Sequence, residues 1–175
     1  MRQCAIGSIL FIPHPTSLIP YLMHLRLIWA GKTKDERLRS LAAEYLKRLS
    51  RFVRCDVSEV AAAKSGDERE GIEEESRRIL SGLRADTFAI LLDVEGREWS
   101  SQELAAEIER WQIAGRKEVA FIIGGHNGVS FEVIRRADAR WSLSRLTLTH
   151  EMARVLLAEQ LYRAYTIIHG LPYQK

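Results

Sequence analysis

Apolar and polar positions alternate from His24 to Ala30, a stretch rich in Leu, Ile and Trp that reads as a first strand, with Gly31 turning the chain. The period then changes. Leu38, Leu41, Tyr45 and Leu49 recur on one helical face, and Thr33 with Glu36 three residues on has the form of a capping box. Val53 to Val60 alternates again as a second strand, and Asp67 to Leu83 is a charged helix with sparser apolar positions at Ile72, Ile79 and Leu83. Thr87 to Leu92 is continuously apolar and ends at Asp93, as expected for a strand buried on both faces, with Glu95-Gly96 as its closing turn. Ser100 and Glu103 open a third helix whose buried face holds Leu104, Ile108 and Trp111 and which ends at Gly115. Val119 to Ile123 is the next buried strand. It runs into Gly124-Gly125-His126-Asn127-Gly128, followed by a short helix from Ser130, a strand-like segment from Arg140 to Leu148, and a last helix from about His150 to His169.

Strands and helices thus alternate five times, which predicts an α/β fold: a mostly parallel sheet with helices on both faces. The last helix is unusual. Met152, Val155, Leu156, Leu157, Leu161, Tyr162, Ala164, Tyr165, Ile167 and Ile168 cover nearly its whole circumference, and a helix apolar all round must be buried all round. Since one sheet face covers one side, the pattern predicts a homodimer through this helix, the alternative being a central helix wrapped by its own chain.

At 175 residues and 46% hydrophobic content, the chain can bury one core and make one domain. Residues 1–22 stand apart. They are apolar, carry only Arg2, and are broken by Pro13, Pro15 and Pro20. They are expected to be an extension outside the fold, with the domain spanning residues 23–175 and Met23 as the functional start. The apolar run is too short for a membrane span, so no membrane association is expected. Cys4 and Cys55 make neither a Cys-x-x-Cys pair nor a disulfide framework, which suits a reducing, cytoplasmic compartment and argues against a metal.

The net charge of +3 hides an uneven distribution. Nine Lys/Arg stand against three acids from His24 to Arg54, six against fifteen from Cys55 to Glu109, and ten against five from Arg110 onward. Two basic segments flanking an acidic middle suit an RNA or phosphate partner, though a solvated charged face reads the same way.

Ligands of open α/β sheets bind at the carboxyl ends of strands. Two segments fall there. The glycine loop after Ile123 lacks side-chain bulk, so its backbone could touch a ligand, although a plain tight turn has the same composition; it is neither Gly-x-Gly-x-x-Gly nor a P-loop. The second is Leu143-Ser144-Arg145-Leu146-Thr147-Leu148, too polar for a central strand, which reads as a loop presenting backbone amides and carbonyls to a ligand, or else as an edge strand. Thr149 would then cap the last helix, with Glu151 at its positive end.

Ile122-Ile123-Gly124-Gly125-x-x-Gly128, Leu143-Ser144-x-Leu146-Thr147-Leu148-x-His150-Glu151-x-Ala153-Arg154, Glu159-Gln160-Leu161-Tyr162-Arg163-Ala164 and Gly170-x-Pro172-Tyr173 together resemble the bacterial large-subunit rRNA pseudouridine N3-methyltransferases. Arg26-Leu27-Ile28-x-Ala30-Gly31-Lys32-Thr33-Lys34 resembles that family's N-terminus, so the resemblance covers Met23 to Lys175. It implies a SPOUT fold with a C-terminal trefoil knot. It also implies S-adenosylmethionine as cofactor, bound in the knot at a dimer interface, and methylation of N3 of a pseudouridine in the helix 69 loop of 23S rRNA on the ribosome. Matching positions make Leu92, Gly124, Gly125, Leu143, Ser144, Arg145, Leu146, Thr147 and Leu148 the expected cofactor contacts.

The catalytic candidates are Arg154, His150 and Tyr173. Arg154 could stabilise charge developing on the base or grip phosphate, or could instead pair with Glu151 or make a dimer contact. His150 is a candidate base, or a structural residue at a helix start. Tyr173 belongs to the tail, which in the family usually continues with His, whereas this chain has Gln174, a side chain that cannot take a proton near neutral pH. That departure motivates a competing reading, a ribosome-binding or assembly factor with little methyltransferase activity. A flavodoxin-like nucleotide-binding domain is a third, disfavoured by the all-apolar last helix.

Overall fold

The computed structural model describes residues 23–63 and 66–173. The 1–22 extension and Gln174 therefore lie outside the described residues. In chain order the elements are β1 (His24–Ala30), α1 (Glu36–Leu49), β2 (Arg54–Val60), α2 (Glu68–Ser81), β3 (Phe88–Glu98), α3 (Ser101–Ile113), β4 (Glu118–Ile123), α4 (Phe131–Arg136), β5 (Ala139–Ser142) and α5 (His150–Ile168). The five strands form one sheet in the order β2-β1-β4-β3-β5, and every pairing is parallel. The expected α/β architecture is present.

Strand alternation sorts side chains between two layers. Leu25, Leu27 and Trp29 of β1 and Val119, Phe121 and Ile123 of β4 face the larger core, shared with Leu49 of α1, Leu104 and Ile108 of α3, and Leu157, Leu161 and Tyr165 of α5. Ile28, Ile122 and Leu91 face the opposite way, against Ile79 of α2 and Val133 of α4. Because both faces are covered, all six residues of β4 are buried. The edge strand β2 has no buried residue.

Four local expectations change. The N-cap of α1 is Asp35, whose carboxylate accepts from the N–H of Arg37 and Leu38, in place of Thr33. Thr33 is buried and its hydroxyl is taken by Arg154, while Glu36 pairs with Arg39. β3 does not stop at Asp93. It runs to Glu98, and the register shifts because Leu92 and Arg97 both align with Trp141. Gly96 is the glycine of this bulge, since a Cβ there would lie 2.6 Å from the Trp141 nitrogen. β5 ends at Ser142, leaving residues 143–148 outside the sheet.

The fourth concerns α5. It packs against both α1 and α3 as well as the sheet, so its flanks are covered by its own chain. Met152, with 38% exposure, is the exposed apolar residue of the helix, and Leu156 and Tyr162 are half-buried. All-round apolarity is thus explained largely within one chain, and the premise that a single sheet face is all that covers the helix does not hold.

Candidate active site

The carboxyl ends of β3, β4 and β5 open onto a cavity of about 830 Å³. Leu92 of β3, Gly124 and Gly125 after β4, and Leu143, Ser144, Leu146 and Leu148 after β5 all line it. Arg145 and Thr147 do not; both point to solvent, and Arg145 pairs with Glu98 at 3.2 Å. Seven of the nine residues expected at a cofactor thus converge from three strands.

The glycine loop is shaped by its own surroundings. It closes with a bond from the Gly128 N–H to the Gly125 carbonyl at 3.1 Å, with Gly128 at φ +89°. A Cβ on Gly124 would come within 2.7 Å of Val129 Cγ1 and 2.8 Å of the Gly128 carbonyl oxygen, and one on Gly125 would strike the Glu75 carboxylate. Glu75 itself is held by the Ala63 N–H at 2.9 Å. Both glycines are therefore required by close approach of the chain to itself, whatever else they contact.

After β5 the backbone leaves the ladder. The Ser142 hydroxyl donates to the Ser144 carbonyl at 2.9 Å, and the Ser144 hydroxyl accepts from the Leu146 N–H at 3.0 Å. These local bonds hold an irregular segment along the cavity without using most of its main-chain groups. Leu146 is 73% exposed at the mouth, an apolar side chain that gains by burial under a ligand. Thr149 then accepts from the Met152 N–H and starts α5, as its sequence position predicts.

A model described as "Predicted SPOUT methyltransferase" matches residues 23–174 of the chain. The chain belongs to the SPOUT methyltransferase family. A Limosilactobacillus reuteri relative named ribosomal RNA large subunit methyltransferase H is 38% identical over 159 residues, covering 87% of this chain and all of its own length. A Bacillus cereus relative of the same name is 41% identical, with the same coverage. A Methanoregula boonei relative is 45% identical over 159 residues, again covering 87% of this chain and all of its own. Among solved structures, a "probable methylase family protein" of Haemophilus influenzae superimposes with a TM-score of 0.51 at 18% identity, over 88% of this chain and 71% of that one, a likeness of fold.

In this SPOUT methyltransferase the three catalytic candidates occupy different places. His150 lines the cavity beside the glycine loop. Its imidazole is held below the usual histidine range, first by partial burial and then by the positive charge of Arg154, with His126 and Lys34 adding to the effect and Glu151 opposing it. Arg154 lies behind the cavity wall, fully buried. It donates to the Thr33 hydroxyl at 2.8 Å and the Ala30 carbonyl at 2.6 Å, its guanidinium stacks over Trp29 at 5.2 Å, and its Nε has no hydrogen-bond partner among the described residues. Tyr173 packs edge-on against Tyr162 and donates to Glu159 at 3.2 Å, about two and a half turns along α5 from His150. Burial, followed by the Tyr45 hydroxyl and the Glu159 carboxylate, pushes its phenol well above the ordinary value. It is therefore held as the neutral phenol.

One cluster was not visible in sequence. Arg140 of β5 bridges Asp93 at 2.7 Å and Glu95 at 2.9 Å, across the bulge of β3, and all three line the cavity. The signal that could have found it is the register shift, which only strand pairing reveals. Among the described residues no group of His, Cys, Asp and Glu could hold a metal ion, and no helix is long and apolar enough to cross a membrane.

Proposed function

We propose that this protein is an S-adenosylmethionine-dependent methyltransferase acting in the cytoplasm on N3 of a pseudouridine in the helix 69 loop of 23S rRNA, within the ribosome. What carries the reading is the convergence of Leu92, Gly124, Leu143, Ser144, Leu146 and Leu148 on one cavity at the strand ends. Its volume falls in the range of small-molecule and cofactor sites. Its lining suits the ligand: apolar walls beside main-chain groups of residues 143–148 that the sheet has left free. When bound, S-adenosylmethionine supplies a methyl group already activated on a sulfonium.

The remaining work falls to this chain's side chains. In-line transfer needs the target nitrogen held in line and relieved of its proton. His150, at the cavity wall and kept neutral by its surroundings, has the lone pair to accept that proton. Asp93 and Glu95, fixed by Arg140, put negative charge on the same cavity. The family reading also includes a C-terminal trefoil knot and a homodimer through α5, which would cover Met152 and Leu156.

Calorimetry with S-adenosylmethionine tests the cofactor, and mass mapping of the helix 69 loop in a deletion strain tests the reaction. Loss of one methyl mark is expected. A binding or assembly factor, the reading that Gln174 favours, would leave the mark in place.

A further inference from the structure

The loop joining β1 to α1 is gripped twice by the first turns of α5. Glu151 accepts from the backbone N–H of Lys34 at 2.8 Å and of Asp35 at 3.2 Å. Arg154, three residues further and so on the same helix face, donates to the Ala30 carbonyl and the Thr33 hydroxyl. An anion thus holds the end of the loop and a cation its beginning, so the backbone from Ala30 to Asp35 is fixed to the helix that starts at the cavity. The side chains of Lys32 and Lys34 are left exposed.

Charge pairing separates these lysines from most of the basic surface. Arg37, Arg39 and Arg48 of α1 are matched to Asp35, Glu36 and Glu44, and Arg145 near the mouth is matched to Glu98. Among the described residues the side-chain ammonium of neither Lys32 nor Lys34 has an acidic partner. Lys34 is also close to the chemistry. The carboxylate that holds its amide belongs to the neighbour of His150, and its charge is felt at the His150 ring.

We propose that Lys34 is a phosphate-binding residue of the RNA-docking surface, and that Glu151 and Arg154 are positioning residues that hold it beside the first turn of α5, where His150 lines the cavity. The proposal rests on the reading of the protein as an RNA methyltransferase. A base that enters a cavity for reaction leaves its flanking phosphates at the rim, where an unpaired cation is worth most. An ammonium on a flexible stem suits that task, since it neutralises a phosphate without reading sequence. Fixing the backbone beneath it aims the charge at one place.

Ribosomes from the deletion strain and a helix 69 stem-loop RNA are the probes. RNA affinity is measured across a salt series, S-adenosylmethionine affinity by calorimetry, and methyl transfer in single turnover at saturating ribosome. Lys34→Ala is expected to weaken RNA binding about three- to tenfold and to lower the salt slope by about one. Cofactor affinity should stay at the wild-type value, and the half-saturating ribosome concentration should rise by a larger factor than the saturated rate falls. Glu151→Ala should show the same pattern, and the double variant should bind RNA no more weakly than Lys34→Ala, because a residue acting through another has nothing further to lose. Melting temperatures establish that both variants fold; Lys34 is exposed, so its variant stands as a test even if Glu151→Ala does not fold. An unchanged salt slope in Lys34→Ala, or additive losses in the double variant, overturns the proposal while the methyltransferase reading survives. A wild-type protein that neither binds S-adenosylmethionine nor modifies ribosomes overturns that reading, and the proposal with it.

Discussion

The guanidinium of Arg154 donates to the hydroxyl of Thr33 at 2.8 Å, joining residues 121 positions apart in the chain, and neither is exposed. A second bond reaches the Ala30 carbonyl at 2.6 Å, so one buried cation secures the end of β1 and the loop after it. Burial lowers the Arg154 pKa from its ordinary value, opposed by Glu151 and Glu59, yet arginine keeps its proton in proteins. Arg154→Met retains bulk and removes the donors. It leaves a hydroxyl and a carbonyl buried and unsatisfied, and is expected to cost about 2–4 kcal/mol, read as a lower urea midpoint. Methyl transfer by the folded variant separates brace from catalyst: an Arg154→Ala or Met protein that folds and works at the wild-type rate has no catalytic arginine at this position.

His150 gives a pH signature with a defined sign. Its folded pKa lies below the ordinary 6.5, so the neutral form that can accept a proton predominates at and above neutrality. The single-turnover rate is expected to be flat above about pH 7 and to fall only on the acid side, through the depressed value. His150→Gln should lower the plateau. Stability follows the same direction. A depressed folded pKa stabilises the native state above the ordinary value, and the contribution is lost as pH falls through the folded one. Glu151, lowered first by the Lys34 N–H, adds a second such loss below its ordinary 4.5. A rate still rising through pH 8, unchanged in His150→Gln, would assign the proton to another group.

Much of this was legible because it is local. β1 spans His24–Ala30, as its pattern predicts, and α3 and α5 begin at the caps their sequences advertise, Ser100 and Thr149. Thr33 was misread because a capping-box spacing cannot show that its hydroxyl is claimed from α5. Gly96 was misread as a turn because the strand it presses against lies further along the chain. Position at the strand ends pointed to the glycine loop and the segment after β5, both of which border the cavity, whereas the Arg140, Asp93 and Glu95 cluster depends on which strands are neighbours. The reason for Gly125 was equally hidden, since Glu75 arrives from α2.

The proposed dimer can be weighed against the covering that α1 and α3 already provide. What remains for a partner on α5 is Met152 and the half-buried Ala153, Leu156, Tyr162, Ile167 and Ile168, with Glu159 and Arg163 paired alongside Tyr162 and Leu156. Leu156→Lys would put a charge into such a contact while leaving the core residues Leu157 and Leu161 untouched. Sedimentation should find a dimer for the wild type and a monomer for this variant, with little change in the circular dichroism spectrum. A wild-type monomer at all concentrations would show that the helix is apolar all round for its own chain alone.

The two loop glycines offer a graded test of whether their close contacts matter to the cavity. At Gly124 the intruding Cβ meets Val129 and the carbonyl of Gly128, which is backbone and cannot turn aside. At Gly125 it meets the end of a glutamate side chain, which can move if it gives up the Ala63 N–H. Gly124→Ala is therefore expected to be the more damaging, at about 2–3 kcal/mol of stability, with Gly125→Ala nearer 1 kcal/mol. S-adenosylmethionine affinity, followed by calorimetry, should fall in the same order, because both changes push the loop that forms the cavity wall. Removing the obstacle supplies the control. Gly125→Ala combined with Glu75→Ala should recover affinity toward that of Glu75→Ala alone, a coupling expected only of groups in contact. If the double variant stays as weak as Gly125→Ala, the missing side chain at Gly125 makes room for the ligand itself, and its contact with Glu75 is incidental.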